Sequence, residues 1–273
     1  IEMDENLKSR LLAECKFLRA YYYFKLVRWF GDIPLVIRTL NRDEYSQPRI
    51  AASEVYDQII QDLEDAILVL PAQYASVGRG RATHGAAKGL LAKVKLTQGD
   101  FEKCSQLTKE IIESQVYALL PSYQQIFTEA GENSSESLFE VQTAAFETGG
   151  GGTQFNEVQG VRGTPNLGWG FNRPSDDLVG DYESGDPRRE ATILYPGEVL
   201  PDGSAIVTDN PNIFNERYNQ KAWVPSHAGG NGNGPGNIRL LRYADVLLMA
   251  AESFNEINQP DEELIYLNLV RTR

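Results

Sequence analysis

Residues 17–36 read FLRAYYYFKLVRWFGDIPLV, and the way this stretch repeats and stops decides the fold class. From Leu7 to Phe30 apolar side chains recur three or four apart: Leu7, Leu11, Leu18, Tyr22, Leu26 and Trp29, with Leu12, Cys15, Tyr23 and Phe30 beside them. That period predicts a helix with a wide buried face. Glu14, Lys16, Arg19, Lys25 and Arg28 fall to its edges and outer side. Gly31 suits the left-handed position after a helix end, and Pro34 cannot continue one, so the helix stops there after about seven turns. Trp29 and most of the Tyr21-Tyr22-Tyr23 run are assigned to the core, with one tyrosine of the three turned away from it.

Working outward, the C-terminal side repeats the same grammar. SEVYDQIIQDLEDAILVL (53–70) predicts a second helix. Ser53 is its N-cap, and Val55, Ile59, Leu63, Ala66, Ile67 and Leu70 form its inner stripe. Residues 83–114 predict a hairpin of two helices broken at Gly99-Asp100, where the glycine ends one helix and the aspartate caps the next. Gly85 and Gly89, each costing about 1 kcal/mol against alanine, share a face with Ala82 and Ala86 and imply close approach of a neighbouring helix. A last pair runs over 240–257 and from Pro260 onward, with Asp261, Glu262 and Glu263 in the first turn of its second helix. Small residues, a Gly-Asp turn and a second amphipathic helix resemble a tetratricopeptide unit, and such units bury their faces by stacking into a superhelix.

Between the pairs the character changes. Over 116–237 glycines gather at 149–152 and 229–236, prolines are frequent and helical period is mostly lost. Short strands are predicted at Ser137–Gln142 and Ala205–Thr208, and a short helix near Ser175–Tyr182. The expected organisation is a mainly α platform over 1–115, an irregular, loop-rich binding subdomain over 116–237 packed on it, and a returning helix pair over 238–273 belonging to the same platform. Loops on a rigid platform commonly carry binding.

Composition narrows the function. With 41% hydrophobic and 23% charged residues the chain has ordinary globular proportions. A net charge of −12 without a Lys/Arg cluster argues against nucleic acid. No apolar run of about 18 residues is available to span a bilayer. Cys15 and Cys104 both lie in helical patterns and read as buried free thiols, although pairing is not decided by sequence.

Catalytic constellations are missing. Only His84 and His227 are present, and there is no His-Glu-x-x-His, Cys-x-x-Cys or Gly-x-Ser-x-Gly motif. Neither an enzyme, a cofactor nor a metal site is expected. Asp176, Asp177 and Asp181, or Glu183 with Asp186, could offer oxygens to calcium, but helix capping and surface charge account for them.

Sugar binding asks for flat aromatic faces beside amide, carboxylate or guanidinium groups, because a pyranose has an apolar CH face and hydroxyl edges. The irregular segment offers Phe155-Asn156, Trp169-Gly170-Phe171-Asn172-Arg173, Tyr218-Asn219-Gln220 and Trp223. For Trp169 and Phe171 packing against the helical platform is the favoured reading, and Tyr218 could likewise pin the segment down. Trp223, flanked by Lys221 and the glycine-rich 229–234, is the candidate for an exposed ring.

Three blocks carry a family resemblance: FLRAYYYFKLVRWFGDIPLV at 17–36, GWGFNRPSDDLVGDYESGDPRR at 168–189 and NIRLLRYADVLLMAAESFNEIN at 237–258, with its Arg242-Tyr243-Ala244-Asp245 entry and Ala251-Glu252 pair. In family order they resemble the SusD/RagB nutrient-uptake lipoproteins of the bacterial outer membrane. The resemblance implies non-catalytic capture of a glycan or other nutrient at the cell surface and its delivery to a partner SusC-type TonB-dependent transporter, over which the protein sits as a lid. It also implies a longer protein whose N-terminal part would hold a signal peptide and a lipidated cysteine. A helical-repeat scaffold for peptide or protein partners is the alternative reading.

Overall fold

The computed structural model describes residues 3–144, 152–162, 167–203, 206–207, 217–224 and 234–273. Its helices are α1 (Glu5–Phe30), α2 (Ala52–Val69), α3 (His84–Thr97), α4 (Phe101–Glu113), α5 (Phe155–Gln159), α6 (Asp176–Gly180), α7 (Pro187–Thr192), α8 (Tyr243–Glu256) and α9 (Pro260–Arg271). The strands are β1 (Ser137–Val141), β2 (Ile193–Leu194), β3 (Tyr218–Asn219) and β4 (Ile238–Arg242). The chain divides into two units, one of residues 1–119 with 241–272 and the other of residues 120–240 with Arg273.

The first unit is a row of helices in which each packs on the next: α1 on α2, α2 on α3, α3 on α4, α4 on α8, and α8 on α9. This is the stacked helix-pair architecture of tetratricopeptide-like proteins. Asp4 caps α1 by accepting the Leu7 N–H at 2.9 Å, and Gly31, at φ +66°, closes it by donating to the Val27 carbonyl. Asp100 likewise caps α4 after Gly99 at φ +76°. In α8 the entry is a capping box, with the Asp245 carboxylate accepting the Arg242 N–H at 2.8 Å.

The buried stripe of α1 is not the one the large apolar residues mark. Ala13, Phe17, Ala20, Phe24 and Val27 are buried, whereas Leu18, Tyr22, Leu26 and Trp29 lie on the outside, Trp29 at 74% exposure. Leu7, Leu12 and Phe30 are exposed too, as is the free thiol of Cys15. The physical reason is that α1 carries two apolar stripes. The one with alanines between phenylalanines lets α2 approach closely, and ion pairs flank it. Arg19 reaches the buried Asp62 of α2 through two bonds of 2.7 and 2.6 Å, and Lys16 pairs with Asp65 at 2.6 Å.

Three further expectations are corrected in this unit. The N-cap of α2 is Ala51, not Ser53, and the Ala52 N–H is satisfied by the Asp32 carboxylate at 2.9 Å. Residues 240–242 are strand, not helix, because β4 runs to Arg242 before α8 begins at Tyr243. Gly85 makes room for a ring: a Cβ there would lie 2.3 Å from the Tyr117 hydroxyl oxygen. Cys104, by contrast, is buried as expected, and burial pushes its thiol up to about 11, which keeps it protonated and inert.

Among its described residues the second unit has little regular structure and a small core of its own. Val161, Leu194, Leu200, Val207 and Tyr218 form it, with Leu167 and Trp223 packed against them. β2 and β3 pair antiparallel, Ile193 opposite Asn219 and Leu194 opposite Tyr218. Ser175 caps α6 through the Leu178 N–H, and Asp186 caps α7 ahead of Pro187. Along β1, Leu138 and Glu140 face inward. The buried Glu140 carboxylate is satisfied there by the Asn133 N–H and the Asn237 side-chain amide. The predicted strand at Ala205–Thr208 survives as an isolated bridge between Val199 and Ile206, its end residues lying outside the described ones.

Candidate functional site

The second unit builds its exposed aromatic surface on one short helix. α5 presents Phe155 at 38% exposure, and the chain returns along it over 167–172. Four backbone bonds tie the return: Leu167 N–H to Val161 O, Trp169 N–H to Glu157 O, Gly170 N–H to Gly160 O and Phe171 N–H to Val158 O, at 2.8 to 3.0 Å. Such close approach requires glycine at two places. A Cβ on Gly168 would sit 2.0 Å from the Glu157 carbonyl oxygen, and one on Gly160 would sit 2.5 Å from that of Leu167. Gly170, at φ +70°, turns the chain between the two aromatic residues.

The result is a pair of open rings. Trp169 and Phe171 are 47% and 58% exposed, with centroids 6.1 Å apart and planes at 87°. Arg173 follows on the exposed side. Edge-to-face contact fixes the rings relative to one another while each keeps area in solvent. Apolar faces beside amide and guanidinium groups are what a sugar ring with hydroxyl edges can use.

The remaining sequence candidates are buried or half-buried. Tyr218 is 1% exposed and donates its hydroxyl to the Arg162 carbonyl at 2.8 Å, so it anchors the core and offers no stacking face. Trp223 is half-buried against the same core, which corrects the expectation of an exposed ring. The reason is the short turn 220–222, which directs it inward; its indole N–H has no hydrogen-bond partner among the described residues. Asn156 is buried and donates to the Ala222 carbonyl at 2.7 Å. Asn219 caps the 220–222 turn through the Lys221 N–H. These four support the surface and do not form it. His227 and the glycine run 229–233 lie outside the described residues.

Sequence reasoning missed Gln159 and the Gly160/Gly168 pair, and it named Asn172 only as a polar neighbour of the rings, not as a link to Gln159. Nothing in their spacing marks them, since their role comes from chain segments meeting in space. It also gave Trp29 to the core. Among the described residues no group of three or more His, Cys, Asp or Glu could hold a metal ion.

Concavities occur in the first unit and lack this combination. A cavity of about 80 Å³ between α3, α4 and Tyr117 is too small for a sugar. A groove of about 520 Å³ runs beside Arg10 and Tyr74, where the arginine already covers the tyrosine ring at 5.6 Å.

Comparison with known proteins supplies the wider setting. Residues 2–96 match a family described as starch-binding and associating with the outer membrane, and residues 135–273, half of the chain, match the SusD family. SusD-like protein P2 of Formosa agariphila is 31% identical across the whole chain, which covers 57% of that relative. A SusD-like protein of Bacteroides ovatus is 28% identical over 99% of this chain and 54% of its own. The chain thus spans a little over half the length of the curated relatives it matches. Among solved structures, a laminarin-binding SusD-like protein superposes with a TM-score of 0.87 at 31% identity, over all of this chain and 65% of that one. Surface glycan-binding protein A of Bacteroides thetaiotaomicron, solved with laminarihexaose, gives 0.79 at 26% identity over 99% of this chain and 63% of its own.

Proposed function

The chain belongs to the SusD family, and from that we propose that it serves non-catalytic capture of glycan at the bacterial cell surface, with Trp169 and Phe171 as the stacking rings. The observation that carries the reading is the exposed, mutually braced pair, with Phe155 and Arg173 on the same small structure. Stacking of sugar CH faces on these rings, with hydroxyls hydrogen-bonded at the edges, needs no covalent step. Two of the similar structures are described as binding laminarin or laminarihexaose, which supports a β-glucan as the first ligand to try.

Delivery to a SusC-type TonB-dependent transporter completes the proposal, together with attachment of the whole protein to the outer membrane by a lipid anchor. No helix among the described residues is long and apolar enough to cross a membrane. Affinity electrophoresis in gels containing laminarin, starch, xylan or mannan tests capture. Retardation in at least one gel, reduced by Trp169→Ala, is the expected result; equal migration in all of them argues against it. Release of new reducing ends from any of these glycans on long incubation would argue against a non-catalytic role.

One observation favours a second reading. The outer stripe of α1 (Leu18, Tyr22, Leu26, Trp29) is an exposed apolar helix face in a helical-repeat unit, which is how peptide and protein scaffolds present themselves. Under that reading migration is unaffected in every gel, and Trp29→Ala weakens binding to a protein partner.

A further inference from the structure

The two open rings are held by a buried amide. Gln159, at the end of α5, is 4% exposed. Its Oε1 accepts from Asn172 Nδ2 at 2.7 Å and from Asn219 Nδ2 at 2.8 Å, which uses both lone pairs. Its Nε2 donates to the Phe155 carbonyl at 2.9 Å. Asn172 directly follows Phe171 and holds the left-handed conformation at φ +50°. Asn219 lies on β3 beside the core residue Tyr218. One side chain therefore joins three segments: the helix bearing Phe155, the return bearing Trp169 and Phe171, and the strand anchored in the core.

Rings that are already ordered lose less freedom when a ligand arrives. We propose that Gln159 is the positioning residue of this surface, fixing the Trp169–Phe171 return so that both rings meet a glycan in one arrangement; the proposal rests on the glycan-capture reading above. Gln159 touches no ligand itself, so its effect passes through Asn172 to the rings. The backbone bonds of 167–171 stop at Phe171, and the Asn172 amide is the next tie along the chain.

The test compares Gln159→Met, which keeps the length and removes every hydrogen bond, with Gln159→Glu, which keeps an acceptor oxygen for both asparagines. In a Trp29→Phe/Trp223→Phe background the time-resolved anisotropy of Trp169 reports its local motion directly. Gln159→Met should depolarise faster and bind laminarihexaose about tenfold more weakly by calorimetry, about 1.4 kcal/mol. Gln159→Glu should return both readings toward the parent. A residue that merely stabilises the unit would lower the unfolding temperature and leave the anisotropy of Trp169 unchanged, and that result overturns the proposal. Where Gln159→Met does not fold, Asn172→Gly keeps the left-handed backbone and deletes only the link, and the same anisotropy measurement decides. If Trp169→Ala loses laminarihexaose while Gln159→Met keeps it, the positioning role fails alone. If Trp169→Ala binds as the parent does, the glycan-capture reading fails, and the inference falls with it.

Discussion

Arg19 and Asp62 form a two-bond ion pair between α1 and α2, in which the aspartate is 1% exposed and the arginine 30%. The guanidinium presents Nε and Nη2 to the two carboxylate oxygens, a geometry that lysine cannot reproduce. Asp62 also accepts from Gln58 Nε2 at 3.0 Å, so its charge is compensated from two sides.

The two halves of this pair should not be equivalent. Arg19→Met leaves a buried carboxylate with one amide donor and should cost about 3 kcal/mol, at the low end of the cost of breaking a buried pair. Asp62→Asn leaves a cation that can turn to water, and should cost about 1 kcal/mol. Urea unfolding of the two variants checks the order; equal losses would show that Asp62 is hydrated.

The start of α2 gives a second contrast. Asp32 supplies the hydrogen bond that Ala51 cannot, so Asp32→Ala should lose about 1 kcal/mol, the usual worth of a cap. Ser53 is exposed and makes no cap, so Ser53→Ala should be neutral within about 0.5 kcal/mol. Thermal unfolding of both variants distinguishes the positions.

Glu14 gives the pH dependence. Burial alone would raise its pKa, but hydrogen bonds from Arg81 and Tyr74, and the charges of Arg81 and Arg10, outweigh this and hold it below the usual range. A depressed carboxylate contributes stability that is present above its unfolded value, near 4.5, and is lost as pH falls through the folded one. The parent should therefore lose more unfolding temperature than Glu14→Gln between pH 5.5 and pH 3.5. Parallel curves would mean that Glu14 is not held by Arg81.

The helix pairs were legible because each has its own punctuation: Gly31 and Pro34, Gly99-Asp100, and Pro260 are local signals, and the structure follows them. The face of α1 was not legible. Two apolar stripes share that helix, and period says where a stripe is but not which one has a neighbour. Large residues drew the reading to Leu18, Tyr22 and Trp29, while the packed stripe alternates alanine with phenylalanine because α2 comes close. In the irregular segment composition marked an aromatic-bearing region but favoured packing for Trp169 and Phe171 and exposure for Trp223, whereas the structure leaves the first two open and half-buries the third. Which rings stay open depends on contacts far apart in sequence, such as Tyr218 with Arg162 and Asn156 with Ala222, and these leave no periodic trace.

The most direct measurement is calorimetric titration of the chain, Trp169→Ala and Trp29→Ala with laminarihexaose. The account predicts that the chain binds, that Trp169→Ala weakens binding at least tenfold, about 1.4 kcal/mol, and that Trp29→Ala leaves it unchanged. Undiminished binding by Trp169→Ala, or loss on Trp29→Ala alone, would contradict it.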